Sequence, residues 1–315
     1  MAEMDDADSL EDPTGDRRLR PLPFLVRKHA DRAVVLASSR CFSYCRFCFR
    51  RGEVLQDPTP AHWRAILSWL AETPEVTEAI LSGGDPLTLP DDRLREIAGW
   101  FEAIPHLERW RIHTRAPVLS SSRITEGLVR ALRSRLPLRV VIHANQPSEL
   151  SAASLRAVRT LQAEGIPVLN QSVLLAGVND RAPVLAALNA RLAQAGVRPY
   201  YLHHPDRVAG TSGFRVSVAR GLQVYRDLLQ VAPSADEGGT TPPYVLDLPN
   251  GAGKCRTEDL LPIAEERGAA GRRVRYRWVR PTGWDSVVQD REFEWWDVWE
   301  RGGRPQTDFR RGWIP

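Results

Sequence analysis

The stretch Cys41-Phe-Ser-Tyr-Cys45-Arg-Phe-Cys48 holds three of the four cysteines of the chain. Thiolates are preferred ligands of iron–sulfur clusters. Three of them on one short loop can hold three irons of a [4Fe–4S] cluster and leave the fourth iron open to a substrate or cofactor. A structural zinc site that lacks its fourth ligand is the alternative, and chance clustering is a poorer one. The spacing therefore predicts a cluster loop at the working end of the protein.

Outward from this loop, short apolar runs alternate with amphipathic stretches of helical length. The runs lie at about 32–37, 78–82, 108–113, 138–143, 168–174 and 198–203. The amphipathic stretches lie at about 60–72, 91–103, 125–134, 149–164, 181–195 and 218–231. Each pair has the size of a βαβ unit, whose crossover is right-handed. Six units in series predict an α/β fold in the form of a partial (βα)6 barrel, because a closed barrel needs eight.

Polar residues follow the predicted strands at their carboxyl ends, where barrel enzymes build their sites. Besides the cluster loop, they are Ser82-Gly83-Gly84-Asp85, His113-Thr114-Arg115, His143-Ala144-Asn145, Gln171-Ser172 within the fifth run, and His203 to Asp206. The glycine pair would let the backbone come close to a ligand, although a tight βα turn explains it equally well. The shared position of these residues predicts one site at one edge of the sheet.

A seventh short strand is predicted at Tyr244–Asp247, followed by Asn-Gly-Ala-Gly-Lys at 250–254. This loop lacks the first glycine and the Ser or Thr of a nucleotide phosphate loop, so we expect no such loop. A lysine on a glycine-rich loop can form a Schiff base with an aldehyde cofactor, and an exposed surface lysine is the alternative. Lys254 and Lys28 are the only lysines of the chain, which adds weight to the first interpretation.

Three charged residues are further candidates for the site. Asp206 and Asp247 each close a predicted strand, and a carboxylate pair would favour a cationic substrate group; turn-capping aspartates are the alternative. Arg50, two residues beyond Cys48, can bind a carboxylate in the bidentate manner, or it is a surface arginine.

Bulk composition excludes several classes of protein. The net charge is +4 and the pI near 9.1, but without a dense basic stripe we expect no nucleic-acid partner. No apolar run approaches the length of a membrane span, the amino terminus has no secretory pattern, and the cysteine pattern fits a reducing cytoplasm. Residues 1–20 carry acids and then arginines, which predicts a mobile arm. Near the carboxyl terminus, a hairpin of 274–279 with 286–289 is predicted, and we expect its many tryptophans to pack onto the barrel or a subunit partner.

Six motifs in order resemble the lysine 2,3-aminomutases, a branch of the radical S-adenosylmethionine enzymes. They are Cys-x3-Cys-x-Phe-Cys-x-Arg-Arg from 41, Leu-Ser-Gly-Gly-Asp-Pro-Leu from 81, Thr-Arg-Ala-Pro-Val from 114, His-Ala-Asn-Gln-Pro-Ser-Glu from 143, Asn-Gln-Ser-Val-Leu-Leu-Ala-Gly-Val-Asn-Asp from 170, and Arg-Pro-Tyr-Tyr-Leu from 198. The resemblance runs from about Asp12 to Lys254 and weakens through about residue 290. It implies a radical SAM type of partial barrel at 31–250, a partly disordered arm at 1–30 and a lysine loop with a Trp-rich extension at 251–315.

The resemblance also implies cofactors and the residues that bind them. Cys41, Cys45 and Cys48 would hold a [4Fe–4S] cluster whose open iron binds S-adenosylmethionine. The implied contacts to that cofactor are Phe47, Ser82, Gly83, Gly84, Asp85, His143 and Gln171. Lys254 would carry pyridoxal phosphate, with Arg32 near its ring or phosphate. Arg50 would bind the substrate carboxylate, and Asp206 and Asp247 the distal ammonium of lysine.

The implied activity is a 2,3-aminomutase that moves the α-amino group of L-lysine, or of a related basic amino acid, to the β-carbon. The alternatives are an enzyme that makes β-lysine for elongation factor P, a radical enzyme with another substrate, and a non-catalytic iron–sulfur or zinc-binding protein of the same fold. The expected partners are an amino acid substrate and an electron donor such as flavodoxin or ferredoxin. A homo-oligomer is compatible with this expectation. Family members carry more residues before the cluster loop, so we expect a helical amino-terminal region to be missing. Cys255 alone does not replace the zinc-binding cysteines of some relatives.

Overall fold

The computed structural model describes residues 9–51, 56–232, 234, 239–248, 251, 253–268, 271–281 and 292–298. Its main sheet has nine strands, each paired with the next in sequence. They are β1 (Leu25–Val26), β2 (Arg32–Ser38), β3 (Glu78–Gly83), β4 (Arg109–Thr114), β5 (Leu138–Ile142), β6 (Val168–Val173), β7 (Arg198–His203), β8 (Tyr244–Leu248) and β9 (Gly253–Arg256). Strands β2 to β8 are parallel, while β1 and β9 are antiparallel to their neighbours.

Helices connect the parallel strands. They are α1 (Pro60–Ala71), α2 (Asp91–Glu102), the single turn α3 (Ala116–Leu119), α4 (Glu126–Ala131), α5 (Ala152–Ala163), α6 (Ala182–Gln194) and α7 (Val218–Val231). All six predicted strands are confirmed as β2 to β7, the seventh as β8, and the six predicted helices as α1, α2 and α4 to α7. The predicted partial (βα)6 barrel is therefore confirmed, with β8 added at its end. Among the described residues, no helix combines the length and apolar character needed to cross a membrane.

The helices begin where the sequence supplies a cap. The Thr59 side chain accepts a hydrogen bond from the backbone N–H of His62, and Pro60 occupies the first turn of α1. Trp63, Ile66 and Leu70 then follow at helical spacing and are buried against the sheet. Burial of this face fixes α1 behind β2 and β3, which leaves the carboxyl ends of those strands open for the site.

The described part of the predicted mobile arm is packed against the protein. Leu10 forms a parallel bridge with Val208, and its N–H donates to the carbonyl of Arg207 at 2.6 Å. Asp16 has only 2% of its surface exposed. Charge composition did not indicate this packing, because Asp16 is paired with Arg50 and Lys28 rather than solvated. Residues 1–8 lie outside the described residues.

A second, antiparallel sheet follows the barrel, built from β10 (Leu261–Gly268), β11 (Gly271–Val279) and β12 (Glu292–Trp296). The predicted strand 274–279 is part of β11, whose described neighbours are β10 and β12. Its predicted partner at 286–289 lies outside the described residues. Trp278 is fully buried, in an apolar cluster shared with Val218 of α7 and Leu246 of β8. As expected, this tryptophan packs onto the barrel.

Candidate active site

The cysteine loop leaves the carboxyl end of β2 and rests on the turn that ends β3. The N–H of Gly84 donates to the Ser38 carbonyl and the N–H of Asp85 to the Arg40 carbonyl, both at 2.6 Å. A Cβ at Gly84 would collide with the backbone of Arg40. Gly83 has a φ of +113°, which disfavours other residues. The close approach that the glycine pair allows is thus made, at least in part, to the cysteine loop itself.

Asp85 ties this turn to the end of β4. Its carboxylate accepts hydrogen bonds from Thr114 Oγ1 at 2.7 Å, from the Arg115 N–H at 2.8 Å and from the Leu87 N–H at 3.0 Å. Burial raises the pKa of Asp85, although these hydrogen bonds oppose the rise. The predicted site residues of β3 and β4 therefore form one hydrogen-bonded unit.

The three cysteines of the loop are free thiols at the mouth of the barrel; Cys41 is exposed and the other two are half-buried. Burial, Asp85 and the neighbouring cysteines raise the pKa of Cys41 to about 11, and burial also raises the pKa of Cys48. Within the described ranges, no three His, Cys, Asp or Glu side chains converge on the position of a single metal ion. An iron–sulfur cluster takes one thiolate per iron, so these donors fit it without such convergence.

A line of polar side chains crosses the carboxyl edge of the sheet from β9 to β5. Lys254 Nζ lies 3.2 Å from His203 Nδ1, and His203 Nε2 lies 3.3 Å from Gln171 Oε1. Gln171 Nε2 lies 2.8 Å from His143 Nε2. One set of roles satisfies these atoms: Lys254 donates to His203, His203 to Gln171, and Gln171 to His143. The predicted lysine and two predicted cofactor contacts are thereby joined through His203.

Both histidines of this line are neutral at pH 7. Burial lowers the pKa of His143 to about 3, with Arg115 adding to the effect. Burial and the Lys254 ammonium also lower the pKa of His203, against the opposing influence of Asp247. A third histidine, His113, lies beside His143 with ring centroids 6.1 Å apart. The Nε2 of His113 is buried without a hydrogen-bond partner among the described residues, which fits a polar ligand in this part of the site.

The two predicted carboxylates lie at the lysine end of the line, in different charge states. Asp247 and Lys254 are cross-strand partners in β8 and β9, and Nζ lies 2.6 Å from Asp247 Oδ2. Burial alone would raise the pKa of Asp247, but Lys254 and His203 outweigh it and hold the pKa well below its ordinary value. Burial and the charge of Asp247 raise the pKa of Asp206 to about 7. The pair therefore carries between one and two negative charges at neutral pH.

The predicted carboxylate-binding arginine is already engaged. Arg50 donates from Nε and Nη2 to Asp16 Oδ2, and its Nη1 lies 3.4 Å from Ser82 Oγ. Its guanidinium stacks on Phe49 at 4.3 Å. The other predicted anion-binding residue, Arg32, begins β2 at the amino end of the strand and pairs with Asp31 at 2.7 Å. The structure thus brings Arg50 to the mouth beside Ser82 and leaves Arg32 a strand length from the cysteine loop.

Sequence reasoning assigned no role to Asp16, and it identified His113, Arg115 and His203 only as polar residues at strand ends. Arg115 contacts Cys45 and stacks over Phe47, another predicted cofactor contact. Its position inside the motif Thr-Arg-Ala-Pro-Val, at the end of β4, was the available signal. Asp16 offered none, because its partners are distant in sequence.

No family model matches the chain. It is 42% identical over 211 residues to L-lysine 2,3-aminomutase of Escherichia coli strain K12. The aligned region covers 66% of this chain and 62% of that protein. It is 36% identical over 252 residues to the putative L-lysine 2,3-aminomutase of Treponema pallidum. This aligned region covers 77% of this chain and 68% of that protein. The chain spans about half to two thirds of the length of the curated relatives it matches.

Among solved structures, Streptococcus suis SuiB bound to S-adenosylmethionine has a TM-score of 0.51 at 14% sequence identity, covering 70% of this chain and 51% of that chain. At this identity the likeness shows a shared fold alone.

Proposed function

Because the chain belongs to the lysine 2,3-aminomutase family, we propose that it moves the α-amino group of L-lysine, or of a closely related basic amino acid, to the β-carbon. The observation that carries this proposal is the grouping of Asp206 and Asp247 around Lys254, at the same edge of the sheet as the cysteine loop. A lysine beside two carboxylates is suited to hold an aldehyde cofactor next to a cationic substrate group.

The cofactors would bind at opposite ends of the line of side chains that runs from Lys254 to His143. Cys41, Cys45 and Cys48 would hold a [4Fe–4S] cluster; the S-adenosylmethionine contacts would be Phe47, Ser82, Gly83, Gly84, Asp85, His143 and Gln171. Lys254 would hold pyridoxal phosphate, and Arg32 would lie near the ring or the phosphate of that cofactor. Once bound, the cluster with S-adenosylmethionine would supply the radical that removes a substrate hydrogen, and pyridoxal phosphate the carbonyl that binds the migrating nitrogen.

The surroundings of Lys254 prepare its nitrogen for that attachment. Nζ donates a hydrogen bond to Asp247 Oδ2 at 2.6 Å, and the unprotonated Nδ1 of His203 at 3.2 Å gives the nitrogen a second, directional contact. These contacts aim Nζ along the line towards Gln171 and restrict its rotation. A lysine held in this way loses little further conformational freedom when it reacts.

The same contacts explain a preference for a basic substrate. Lys254 balances one of the two carboxylates. A distal ammonium on the substrate would supply a second positive charge and would favour the ionised form of Asp206. An acidic side chain would instead add charge of the same sign to a partly buried carboxylate pair, which is unfavourable. Arg50, at the mouth beside Ser82, would bind the substrate α-carboxylate at the opposite end.

The decisive experiment supplies the anaerobically reconstituted protein with S-adenosylmethionine, dithionite, pyridoxal phosphate and one amino acid at a time. Lysine, ornithine, arginine and glutamate form the panel, and the β-amino acid is identified by mass spectrometry and NMR. We expect a β-product from lysine or another basic amino acid and none from glutamate. A β-product from glutamate alone, or no turnover by a protein that carries its full cluster and pyridoxal phosphate, would overturn the proposal.

A further inference from the structure

Arg115 brings a largely buried positive charge to the cysteine loop. Its Nη1 lies 2.9 Å from Cys45 Sγ, and its guanidinium carbon lies 5.5 Å from the centre of the Phe47 ring. The side chain is 15% exposed. A charged donor this close to a ligand sulfur, shielded from water, exerts a strong electrostatic effect on whatever the sulfur binds.

The guanidinium is held from several sides. Its Nε donates to the His143 carbonyl at 3.1 Å, and its Nη2 donates to Glu149 Oε1 at 2.6 Å. The backbone N–H of Arg115 donates to Asp85 at 2.8 Å. Glu149 is itself fixed, since its other carboxylate oxygen accepts hydrogen bonds from the backbone N–H groups of Asn145 and Gln146. The position of the charge is therefore set by the ends of β3, β4 and β5 and does not depend on the cysteine loop alone.

The side chains of the two arginines that follow the loop, Arg50 and Arg51, are bound elsewhere. Arg50 is paired with the buried Asp16, and Arg51 donates to the carbonyls of Arg46 and Gly210. Arg115 is instead shared between a carboxylate and a cysteine sulfur. Of these three arginines, Arg115 is the one whose guanidinium donates to a cysteine of the loop, whereas Arg50 reaches Cys48 through its backbone N–H.

We propose that Arg115 is a positioning residue that raises the reduction potential of the cluster through its hydrogen bond to Cys45, and that Glu149 limits this effect. The inference rests on the proposed function, because it requires a cluster on the three cysteines. Reduction transfers one electron from a low-potential one-electron donor to the oxidised cluster, which thereby gains one negative charge. A cation at the ligand sulfur stabilises this reduced state, since hydrogen bonds to sulfur and net charge set cluster potentials.

Glu149 makes the inference specific. Its carboxylate partly neutralises Arg115, so its removal should leave more positive charge facing Cys45. Arg115→Gln should therefore lower the potential, and Glu149→Gln should raise it. A general loosening of the loop would move both variants in the same direction.

The test is an EPR-monitored redox titration of reconstituted proteins with matched iron content. At a fixed potential, we expect Arg115→Gln to lower the ratio of reduced to oxidised cluster about tenfold, which is about 59 mV for a one-electron couple. Arg115→Lys, which keeps the charge but not the planar fork, should shift the ratio less. Arg123→Gln is the matched control, because Arg123 donates to the Leu87 and Leu89 carbonyls and pairs with Asp91; its potential should equal that of the wild type.

The outcomes separate this inference from the proposed function. An unchanged potential in iron-loaded Arg115→Gln, or shifts of the same sign in Arg115→Gln and Glu149→Gln, would overturn the inference and leave the proposed function intact. If Arg115→Gln takes up no iron, the comparison of Arg115→Lys with Glu149→Gln decides the sign in its place. A wild-type protein that binds no cluster would overturn the proposed function, and the inference with it.

Discussion

Asp16 Oδ2 accepts hydrogen bonds from both Nε and Nη2 of Arg50, at 3.2 and 2.8 Å. The other oxygen, Oδ1, lies 2.6 Å from Nζ of Lys28. One buried carboxylate thus holds two cations, and one of them is the arginine proposed to bind the substrate. The arm that carries Asp16 is therefore part of the site, although it precedes the barrel in the sequence.

Asp16→Asn should destabilise the protein by about 3 kcal/mol, because it leaves two largely buried cations without their counter-ion. Burial would raise the pKa of Asp16, but Arg50 and Lys28 outweigh it and hold the pKa far below its ordinary value. The stabilisation is therefore present above about pH 4 and is lost as the pH falls towards the folded-state pKa. Urea unfolding at pH 7 and at pH 3 measures this, and the difference from wild type should shrink at pH 3.

Glu11→Gln is the control for that variant, since Glu11 and Arg17 form an exposed pair 3.7 Å apart. It should change the free energy of unfolding by no more than about 0.5 kcal/mol. Asp16→Asn should also raise the KM for lysine, because Arg50 loses the contact that orients it. Equal stability of Asp16→Asn and wild type at pH 7 would contradict the counter-ion role.

Asp206 and Asp247 should affect stability with opposite dependence on pH in the cofactor-free protein. The pKa of Asp206 is raised to about 7, so its contribution is complete at low pH and is lost as the pH rises through about 7. Relative to wild type, Asp206→Asn should gain about 1–3 kcal/mol between pH 5 and pH 8. The lowered pKa of Asp247 gives the reverse: Asp247→Asn should be less stable above about pH 4, and its deficit should shrink below that pH. Parallel unfolding curves for the two variants would refute the assigned charge states.

Pyridoxal phosphate followed by borohydride should label Lys254. The Nζ of Lys254 is held between Asp247 and His203, whereas that of Lys28 is bound to the buried Asp16. Lys254→Arg should abolish the label and Lys28→Arg should retain it, as read by peptide mass spectrometry. The pair is a complete control because the chain has no other lysine. A label on Lys28 alone would remove the proposed role of Lys254.

Two helical glycines should respond to alanine in opposite ways. A Cβ at Gly221 in α7 would overlap the hydroxyl of the buried Tyr244, which lies 2.7 Å from His204 Nδ1, so Gly221→Ala should cost about 1–3 kcal/mol. A Cβ at Gly99 in α2 meets nothing within 4 Å, so Gly99→Ala should add about 0.5–1 kcal/mol. Thermal unfolding of both variants measures the two effects. A stabilised Gly221→Ala would mean that α7 packs less tightly on β8 than the structure has it.

The sequence predicted strands β2 to β8 and helices α1, α2 and α4 to α7 because each carries its own periodicity. Strands such as β3 and β5 are buried along most of their length and appear as apolar runs, and α1 is marked by Thr59 and Pro60. The one-turn α3 and the two-residue β1 were not predicted, because so few residues show no period. Periodicity therefore located the long elements and, through their ends, the edge that holds the site.

The pairing of side chains within the site could not be predicted in the same way. Arg115 and Cys45 are 70 positions apart, and Asp16 and Arg50 are 34 apart. A motif gives the type and position of a residue but not its partner, which depends on how the strand ends turn. The arm is the clearest case. Its composition predicted mobility, whereas its Asp16 is buried and paired with Arg50 and Lys28.

The bridge between Leu10 and Val208 has a mechanical consequence. A partial barrel has two free flanks and can widen by uncurling, which a closed barrel cannot do. Here one end of the arm is hydrogen-bonded to the segment after β7, and its Asp16 is anchored at the cysteine loop after β2. The arm therefore links the segment after β7 to the cysteine loop after β2 across the mouth of the barrel, and any widening of the barrel would have to break one of these two attachments.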